Sequence, residues 1–506
     1  MKITKKLMCF IVTTVMLVGF IAGATASSGI IKITADINTN INYILNGDKF
    51  IPKDADGSRM DTIIYKGRSY VPLRAIANAL DVPVNWDDKT STIILGENDV
   101  SEEVKNDYSE EITLLHFDQD EANLLARDFM ASHPGVKVNI NHIADIYGAY
   151  QTNLVNELSA GTIDADVIAL EVSFIKRFIN IANSFEDLSS SPYNAENMYD
   201  KLVPYTIDVG KSNDGKIRAL SHQANPLGIG YKRDIAKTYL GTDNPVEISK
   251  MFASSENILE TARKLKEKSG GKVKLFPNLS ELLRIYLGNR NAGWIKDETL
   301  FIDPEIDEFL ELAKKLHNEG LVGNLEPWTP AWAHAVNDNE HFAWAIPNWG
   351  IPWILNVNMD EQYRDKGNWA IAIPETTGFW GGTWFAINSS STKKDLSWEF
   401  INYITTNAEQ SEKWAAETGN FVSNLESINK LADNNNFISP TINQNLYNLY
   451  KPVLGKINGK TMTVFDDIII NVFIDEVLYP YVNGKVDKDN AIQAFFDGVY
   501  RDINTN

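Results

Sequence analysis

Cysteine is almost absent: Cys9 is the one thiol in 506 residues, which excludes a disulfide framework and any thiolate-bound metal cluster. Histidine is sparse too. The seven histidines offer no pair at the spacing that holds zinc or copper on a helix, so no metal centre is expected. Positive charge is in deficit, with 47 Lys and Arg against 67 Asp and Glu and a net charge of −20. That balance argues against nucleic acid and against an anionic membrane surface, both of which call for a basic face. Catalytic signatures are also missing. There is no Gly-x-Ser-x-Gly nucleophile elbow. The string Gly455-Lys456-Ile457-Asn458-Gly459-Lys460-Thr461 mimics a phosphate loop, but its glycines stand one residue too close and Asn458-Gly459 is a hairpin signal. Asp466 and Asp467 are adjacent, and neighbours on one chain rarely flank a glycosidic bond from opposite sides. Neither an enzyme nor a cofactor is expected.

What remains is ordinary globular composition, 44% hydrophobic and 23% charged, in a chain long enough for about three domains. It opens with an address. Lys2, Lys5 and Lys6 precede an apolar run over 7–21, and Ala24-Thr25-Ala26 follows. Together they make a signal peptide of residues 1–26 cut after Ala26, with a single anchoring helix as the alternative. A lipoprotein needs cysteine directly after the cut, whereas Cys9 lies inside the apolar run; a lipid anchor is therefore not expected. No later stretch approaches the roughly 20 apolar residues of a membrane helix. The protein is expected outside the cell, at the surface.

Residues 30–97 read as short strands with one helix. Ile41-Asn42-Tyr43-Ile44-Leu45 leads into the turn pair Asn46-Gly47, and a second strand-turn unit over 63–71 leads into Pro72, a helix over 73–80 and strands near 84–87 and 90–95. Asp54-Ala55-Asp56-Gly57 hints at a calcium loop, yet Pro52 and Ile63 would fall at its end ligands, so it is read as a polar turn. The string Gly67-Arg68-Ser69-Tyr70-Val71-Pro72-Leu73-Arg74-Ala75-Ile76-Ala77, followed by Val84-Asn85-Trp86-Asp87, resembles the stalk-like module named after the N-terminus of copper amine oxidase. The resemblance carries no oxidase chemistry, because residues 30–97 contain no histidine to bind copper. It implies either attachment to a cell-wall component or plain spacing. Residues 98–111 hold six acids against Lys105 alone and read as a self-repelling linker.

From residue 112 the pattern is strand then helix. Strands are expected over 112–117, 136–140 and 166–170, with helices near 122–129, 148–158 and 174–181. This alternation means an α/β fold with a parallel sheet covered on both faces, and ligands of such sheets sit outside the carboxyl ends of the strands. Those ends carry Asp118, Gln119 and Glu171-Val172-Ser173. Asp303-Pro304-Glu305 opens a further helix with Ile306, Phe309, Leu310, Ala313 and Leu316 on one stripe and Gly320 as its stop.

Several strings in 112–506 resemble the extracellular solute-binding proteins of carbohydrate ABC transporters, of the family 1 type. They are Asp214-Gly215-Lys216-Ile217-Arg218-Ala219-Leu220 running on to Gly228-Ile229-Gly230-Tyr231, then Phe342-Ala343-Trp344-Ala345-Ile346-Pro347-Asn348-Trp349, Trp369-Ala370-Ile371-Ala372-Ile373-Pro374, and Gly381-Gly382-Thr383-Trp384-Phe385-Ala386-Ile387. The resemblance implies a type II two-lobe periplasmic-binding-protein-like fold with a hinge. One lobe takes about 112–226 and 383–424, the other about 227–382 and 425–506. It also implies ABC permease subunits as partners, delivery by closure of the lobes, and a monomer.

A neutral sugar offers apolar C–H faces, which aromatic rings stack on, and hydroxyls, which carboxylates and amides bond. Eight of the 12 tryptophans fall between Trp294 and Trp380, an excess suited to stacking. Trp349, at a position that matches the ligand-stacking position of the family, leads the candidates, with Asn348 beside it. Trp294 stands in a loop; Trp380 and Trp384 flank Gly381 and Gly382, where missing side chains allow close approach. Trp332, Trp398 and Trp414 are read as packing. Glu171 ends an apolar strand and either recognises hydroxyls or pairs with a base. Asp118 either faces the ligand or caps the next helix. His222, Gln223 and Asn225 sit at the lobe crossing, where His222 serves either the ligand or the hinge. The expectation is an oligosaccharide receptor. A polyamine or peptide receptor, and a sensory or adhesion protein without a transporter, are the alternatives.

Overall fold

The computed structural model describes residues 108–505 apart from 297–298 and 376, and 36–95 apart from 39–40, 42, 46–47, 54–58, 66–67, 81, 83 and 88–91. The signal peptide, the turn pairs at 46–47 and 66–67, the polar turn at 54–57 and most of the linker lie outside the described residues. The chain divides into two compact units, 1–106 and 107–506.

The first unit is built of short strands. β1 (Asp36–Asn38) pairs with β4 (Thr62–Tyr65), which pairs with β5 (Arg68–Tyr70). β2 (Tyr43–Leu45) and β3 (Asp48–Phe50) form one hairpin, and β6 (Val84–Asp87) and β7 (Thr92–Leu95) another. Leu45 stands opposite Asp48, as a two-residue Asn-Gly connection requires. Helix α1 (Leu73–Ala79) starts directly after Pro72 and buries Ala75 and Ala77.

In the second unit the strands are β8 (Glu110–His116), β9 (Val136–His142), β10 (Val167–Glu171), β11 (Ala219–Leu220), β12 (Leu227–Lys232), β13 (Ala343–Pro347), β14 (Trp369–Ala372) and β15 (Thr383–Ile387). One sheet runs β11-β15-β10-β8-β9 and a second runs β13-β12-β14. The acids Glu110 and Glu111, assigned above to the linker, are the first residues of β8: Glu110 pairs with Val136 in register, and Glu111 accepts a hydrogen bond from Asn139 at 2.9 Å. Both stand at the start of the strand, where their carboxylates stay in solvent.

The sheets are less parallel than the alternation of elements implies. β9, β8 and β10 are parallel, but β15 lies antiparallel to β10 and to β11, and β12 is antiparallel to both its neighbours. β12 enters directly from the first sheet as extended chain, so its direction is set by the crossing rather than by a preceding helix. Its residues Gly228 and Gly230 have a steric purpose. A Cβ at Gly228 would stand 2.5 Å from Ile371 Cγ2, and one at Gly230 would stand 2.5 Å from Ile346 Cγ1. The period of two in β13 and β14 sends Trp344, Ile346, Trp369 and Ile371 into one core and Ala343, Ala345, Ala370 and Ala372 into another.

The helices that matter to the site are α2 (Gln119–Ser132), α3 (Ala149–Ala160), α4 (Leu279–Asn289), α5 (Pro304–Asn318), α6 (Ala408–Thr418) and α7 (Asp466–Val472). α5 is as the sequence predicts: Asp303 Oδ1 caps it at Glu305 N, and its apolar stripe is fully buried. Three segments link the sheets. Leu227 N donates to Gly378 O, Trp380 N to Asn225 O, and Ser423 N to His222 O, at 3.0, 3.0 and 2.9 Å. Residues 425–457, assigned above to the second lobe, bridge both sheets. Tyr447 stacks on Phe421 at 4.4 Å in the core of the first sheet, while Gln444 exchanges two bonds with Ile371 of the second. Among the described residues no helix is long and apolar enough to cross a membrane.

Candidate ligand-binding cleft

A cleft of about 1000 Å³ opens between the two sheets. One wall stands on the carboxyl ends of β8 and β10 and the start of β15, which the antiparallel register places beside them: Glu171 is opposite Thr383. This is where an α/β sheet presents its ligand groups. Half-buried Glu171 accepts from Ser173 N at 2.7 Å and from the Ser173 hydroxyl. Burial pushes its carboxyl up, partly offset by those bonds. Asp118 caps α2, its Oδ1 accepting from Asp120 N at 2.9 Å and Glu121 N at 3.0 Å, and its exposed side chain also lines the cleft. The capping role of Asp118 is thus observed, and the cap leaves its side chain at the cleft surface.

Below these lies a network the sequence did not reveal. Glu121 accepts from His222 Nε2 at 2.7 Å and from Gln223 Nε2 and Thr383 Oγ1 at 3.1 Å each. Burial alone would raise the Glu121 carboxyl, but the His222 bond, the neighbouring histidines and Thr383 outweigh it and hold it below the usual range. His116 accepts from Asp118 N at its Nδ1, 2.9 Å away, so its proton resides on Nε2, 4.0 Å from Glu121. Burial lowers the His116 pKa against the pull of Glu121, which favours the neutral ring.

The opposite wall is aromatic. Trp349, just past β13, donates from Nε1 to Trp380 O at 2.7 Å and meets the Trp380 ring edge to face at 4.9 Å. Trp328 lies nearly parallel to Trp349, with centroids 6.4 Å apart and planes 13° from parallel. Trp328 and Trp353 are 57% and 66% exposed, so much of each ring is open to a partner. The guanidinium of Arg284 on α4 covers the other side of Trp380 at 3.6 Å. Gly381 and Gly382 turn the chain here with φ of +91° and +126°. A Cβ on Gly381 would stand 2.5 Å from Trp349 Nε1, and one on Gly382 2.9 Å from Asn225 Nδ2. Deeper in, Arg290 faces Asp466 at 3.5 Å, and burial raises the carboxyls of Asp466 and Asp467.

Of the sequence candidates, Trp349, Trp380, Glu171, Asp118 and Gly382 line this cleft, and Gln223 joins them. The other five do not. Trp294 is fully buried against Phe473 and Phe495 at 5.3 and 5.6 Å, because its loop folds inward over the second core. Trp384 alternates with Thr383 on β15, so its ring points away and donates to Thr206 O at 2.7 Å. His222 is buried and reaches Glu121 rather than open space. Asn225 and Asn348 are 1% exposed and face each other; with its amide turned to suit its neighbours, Asn348 donates to Asn225 Oδ1 at 2.9 Å. Trp332 is packing, bonded to Glu281 at 2.9 Å. Trp414 packs edge to face on His222 at 4.7 Å and also lines the cleft. Asp120, Glu121, Arg284, Trp328 and Trp353 were missed. Only the tryptophan excess pointed toward the last two; an acid in the first turn of a helix carries no local mark of burial.

Comparison with known proteins bears on the same architecture. The model for bacterial extracellular solute-binding proteins matches residues 125–439, and that for the copper amine oxidase N-terminal domain matches residues 24–112. Among solved structures, an extracellular solute-binding protein of family 1 is 20% identical, covers 77% of this chain and 99% of its own, and superposes with a TM-score of 0.69. The sugar-binding protein MalE from Xanthomonas citri is 15% identical over 77% of this chain and 96% of its own, with a TM-score of 0.62. The ABC transporter-associated binding protein from B. animalis subsp. lactis Bl-04, solved with beta-1,6-galactobiose, is 18% identical over 77% and 96%, with a TM-score of 0.58. At these identities the likeness is one of fold.

Proposed function

This chain belongs to the bacterial extracellular solute-binding proteins, preceded by a copper amine oxidase N-terminal domain, and from that membership we propose that it captures an oligosaccharide outside the cell and delivers it to an ABC importer. The observation that supports this reading is the pairing of the two walls. The indoles of Trp328, Trp349 and Trp353 line the same cleft as the acceptors Glu171, Asp118 and Thr383. Aromatic faces take the C–H surface of a pyranose, and carboxylates take its hydroxyls with charge-assisted strength. Pockets for drug-sized ligands run about 300–1,000 Å³, so a cleft of about 1000 Å³ suits several sugar units rather than one.

Capture proceeds by a shift from open to closed arrangements, driven by contacts that only the closed form makes on both walls. The crossings at 223–226, 378–380 and 421–423 are the segments that would bend. The ligand leaves chemically unchanged, and the protein acts as a monomer without a cofactor. Export rests on the leader at 1–26. The N-terminal domain attaches the receptor to a wall component or holds it at a distance. The proposal is tested by calorimetry of the mature protein against neutral and amine-bearing di- to hexasaccharides. Saturable binding that Trp349→Ala weakens supports it. No binding across the panel by a protein with a cooperative melting transition refutes it.

A further inference from the structure

The charges that line the cleft do not balance. Asp118, Asp120, Glu121, Glu171, Asp466 and Asp467 reach it against Arg284 and Arg290 alone. Both cations are engaged. Arg290 faces Asp466 at 3.5 Å, and Arg284 lies on the Trp380 ring with Glu281 as its charge partner. Glu121 is held by His222 at 2.7 Å. The other four carboxylates, Asp118, Asp120, Glu171 and Asp467, take part in no ion pair within 4.0 Å among the described residues. Arg177 acts on Asp467 only from a distance while donating to Gln151 at 2.6 Å. Three of the four belong to the strand-end wall and one to the opposite side, so a ligand between them is flanked by negative charge on both sides.

A second observation points to a ligand with acceptor atoms as well. Trp414 and Arg290 both line the cleft at 4% and 5% exposure, and Trp414 Nε1 and Arg290 Nη1 have no hydrogen-bond partner among the described residues. Donors this deep without acceptors are costly, and a small rotation of either side chain toward the cleft would bring it to the hydroxyl or ring oxygens of a saccharide.

Resting on the carbohydrate reading above, we propose that the ligand is an amino sugar oligomer whose protonated amines neutralise the free carboxylates. A neutral sugar would leave four negative charges to be stripped of water as the cleft closes, which is unfavourable. A uronate, sulfate or phosphate ester would add repulsion. An ammonium group gains from the carboxylates and from the exposed indole faces of Trp328 and Trp353 together.

The test is calorimetry of the mature chain with a β-1,4-linked glucosamine tetramer, its N-acetylated counterpart, a neutral glucose tetramer and spermidine, at low and high salt. The glucosamine tetramer should bind at least about tenfold more tightly than either neutral oligomer, and the margin should shrink as salt screens it. The margin should also collapse in Glu171→Gln/Asp467→Asn; if that double variant does not fold, Glu171→Gln alone should narrow it. Neutral oligomers that bind equally or better, or a margin that neither salt nor the variants change, would overturn the amine inference and leave the carbohydrate reading standing. Spermidine matching the glucosamine tetramer while neutral oligomers stay silent would overturn the carbohydrate reading, and silence from all four would overturn both.

Discussion

The wall that carries Asp118, Glu171 and Thr383 and the wall that carries Trp328, Trp349, Trp353 and Trp380 face the same ligand space but are held in different ways. The first stands on three adjacent strands, β8, β10 and β15, whose ladder fixes each side chain in register. Its acids Asp118 and Glu171 accept from backbone N–H groups, and its Thr383 hydroxyl donates to Glu121. The second is assembled from turns and the short helical segment Ile351–Asn356, and the rings of Trp328, Trp349 and Trp380 are held mainly by one another and by Arg284. A ladder fixes direction, which hydrogen bonds to hydroxyls need; ring-on-ring contact tolerates displacement, which stacking permits. On this view the strand-end wall selects the ligand and the aromatic wall supplies contact area.

The sharpest control on that comparison is a tryptophan belonging to neither wall. Trp294→Ala empties a core site and should lower stability by about 3–5 kcal/mol, while the folded fraction binds with unchanged affinity. Urea titration and calorimetry on the same sample would show it, and a selective loss of affinity would return Trp294 to the cleft. Trp349→Ala should do the reverse, weakening binding by about 2–3 kcal/mol, or ~30–150-fold, with a modest effect on melting. Trp349→Phe should recover most of the affinity. Recovery by leucine just as complete would mean that bulk, not an aromatic face, is what the second wall provides.

Glu171→Gln tests the first wall. Losing a charge-assisted acceptor should weaken binding by about 1.5–2 kcal/mol. Stability should move the other way. Burial raises the folded-state pKa of Glu171 above its unfolded value, so its contribution is fully present below the unfolded pKa and is lost as pH rises through the folded one. The variant should therefore melt higher than wild type near neutrality, and the gap should close toward pH 4. A gap that is absent or reversed would show that Glu171 has a stabilising partner in the apo protein. The smallest effect is expected at Asp118: Asp118→Ala should cost about 1 kcal/mol through the lost cap of α2, and Asp118→Asn only a few tenths, since its amide oxygen still accepts.

Much of the fold was legible because its signals are local. Alternation and apolar runs marked β8, β9 and β10, and Asp303-Pro304 marked the start of α5. The ends of β8 and β10 led to Asp118 and Glu171 through a rule about sheets rather than about these residues. The direction of β15 and β12 was not legible, since an antiparallel strand has the same buried run as a parallel one. Nor was the burial of Glu121, which depends on His222 and Thr383, 101 and 262 residues away.

The tryptophans divide what each level decided. Composition and chain order alone established an aromatic-rich region and an α/β scaffold, because residue counts and periodicity are properties of neighbours in sequence. Which indoles line the cleft was decided only in three dimensions. Trp384 and Thr383 are consecutive, yet strand pleating sends one to the core and the other to the cleft; Trp294 and Trp328 both lie in loops, yet one is covered by Phe473 and Phe495 and the other left 57% exposed. Exposure is set by whatever distant chain packs against a ring, and no local pattern encodes that.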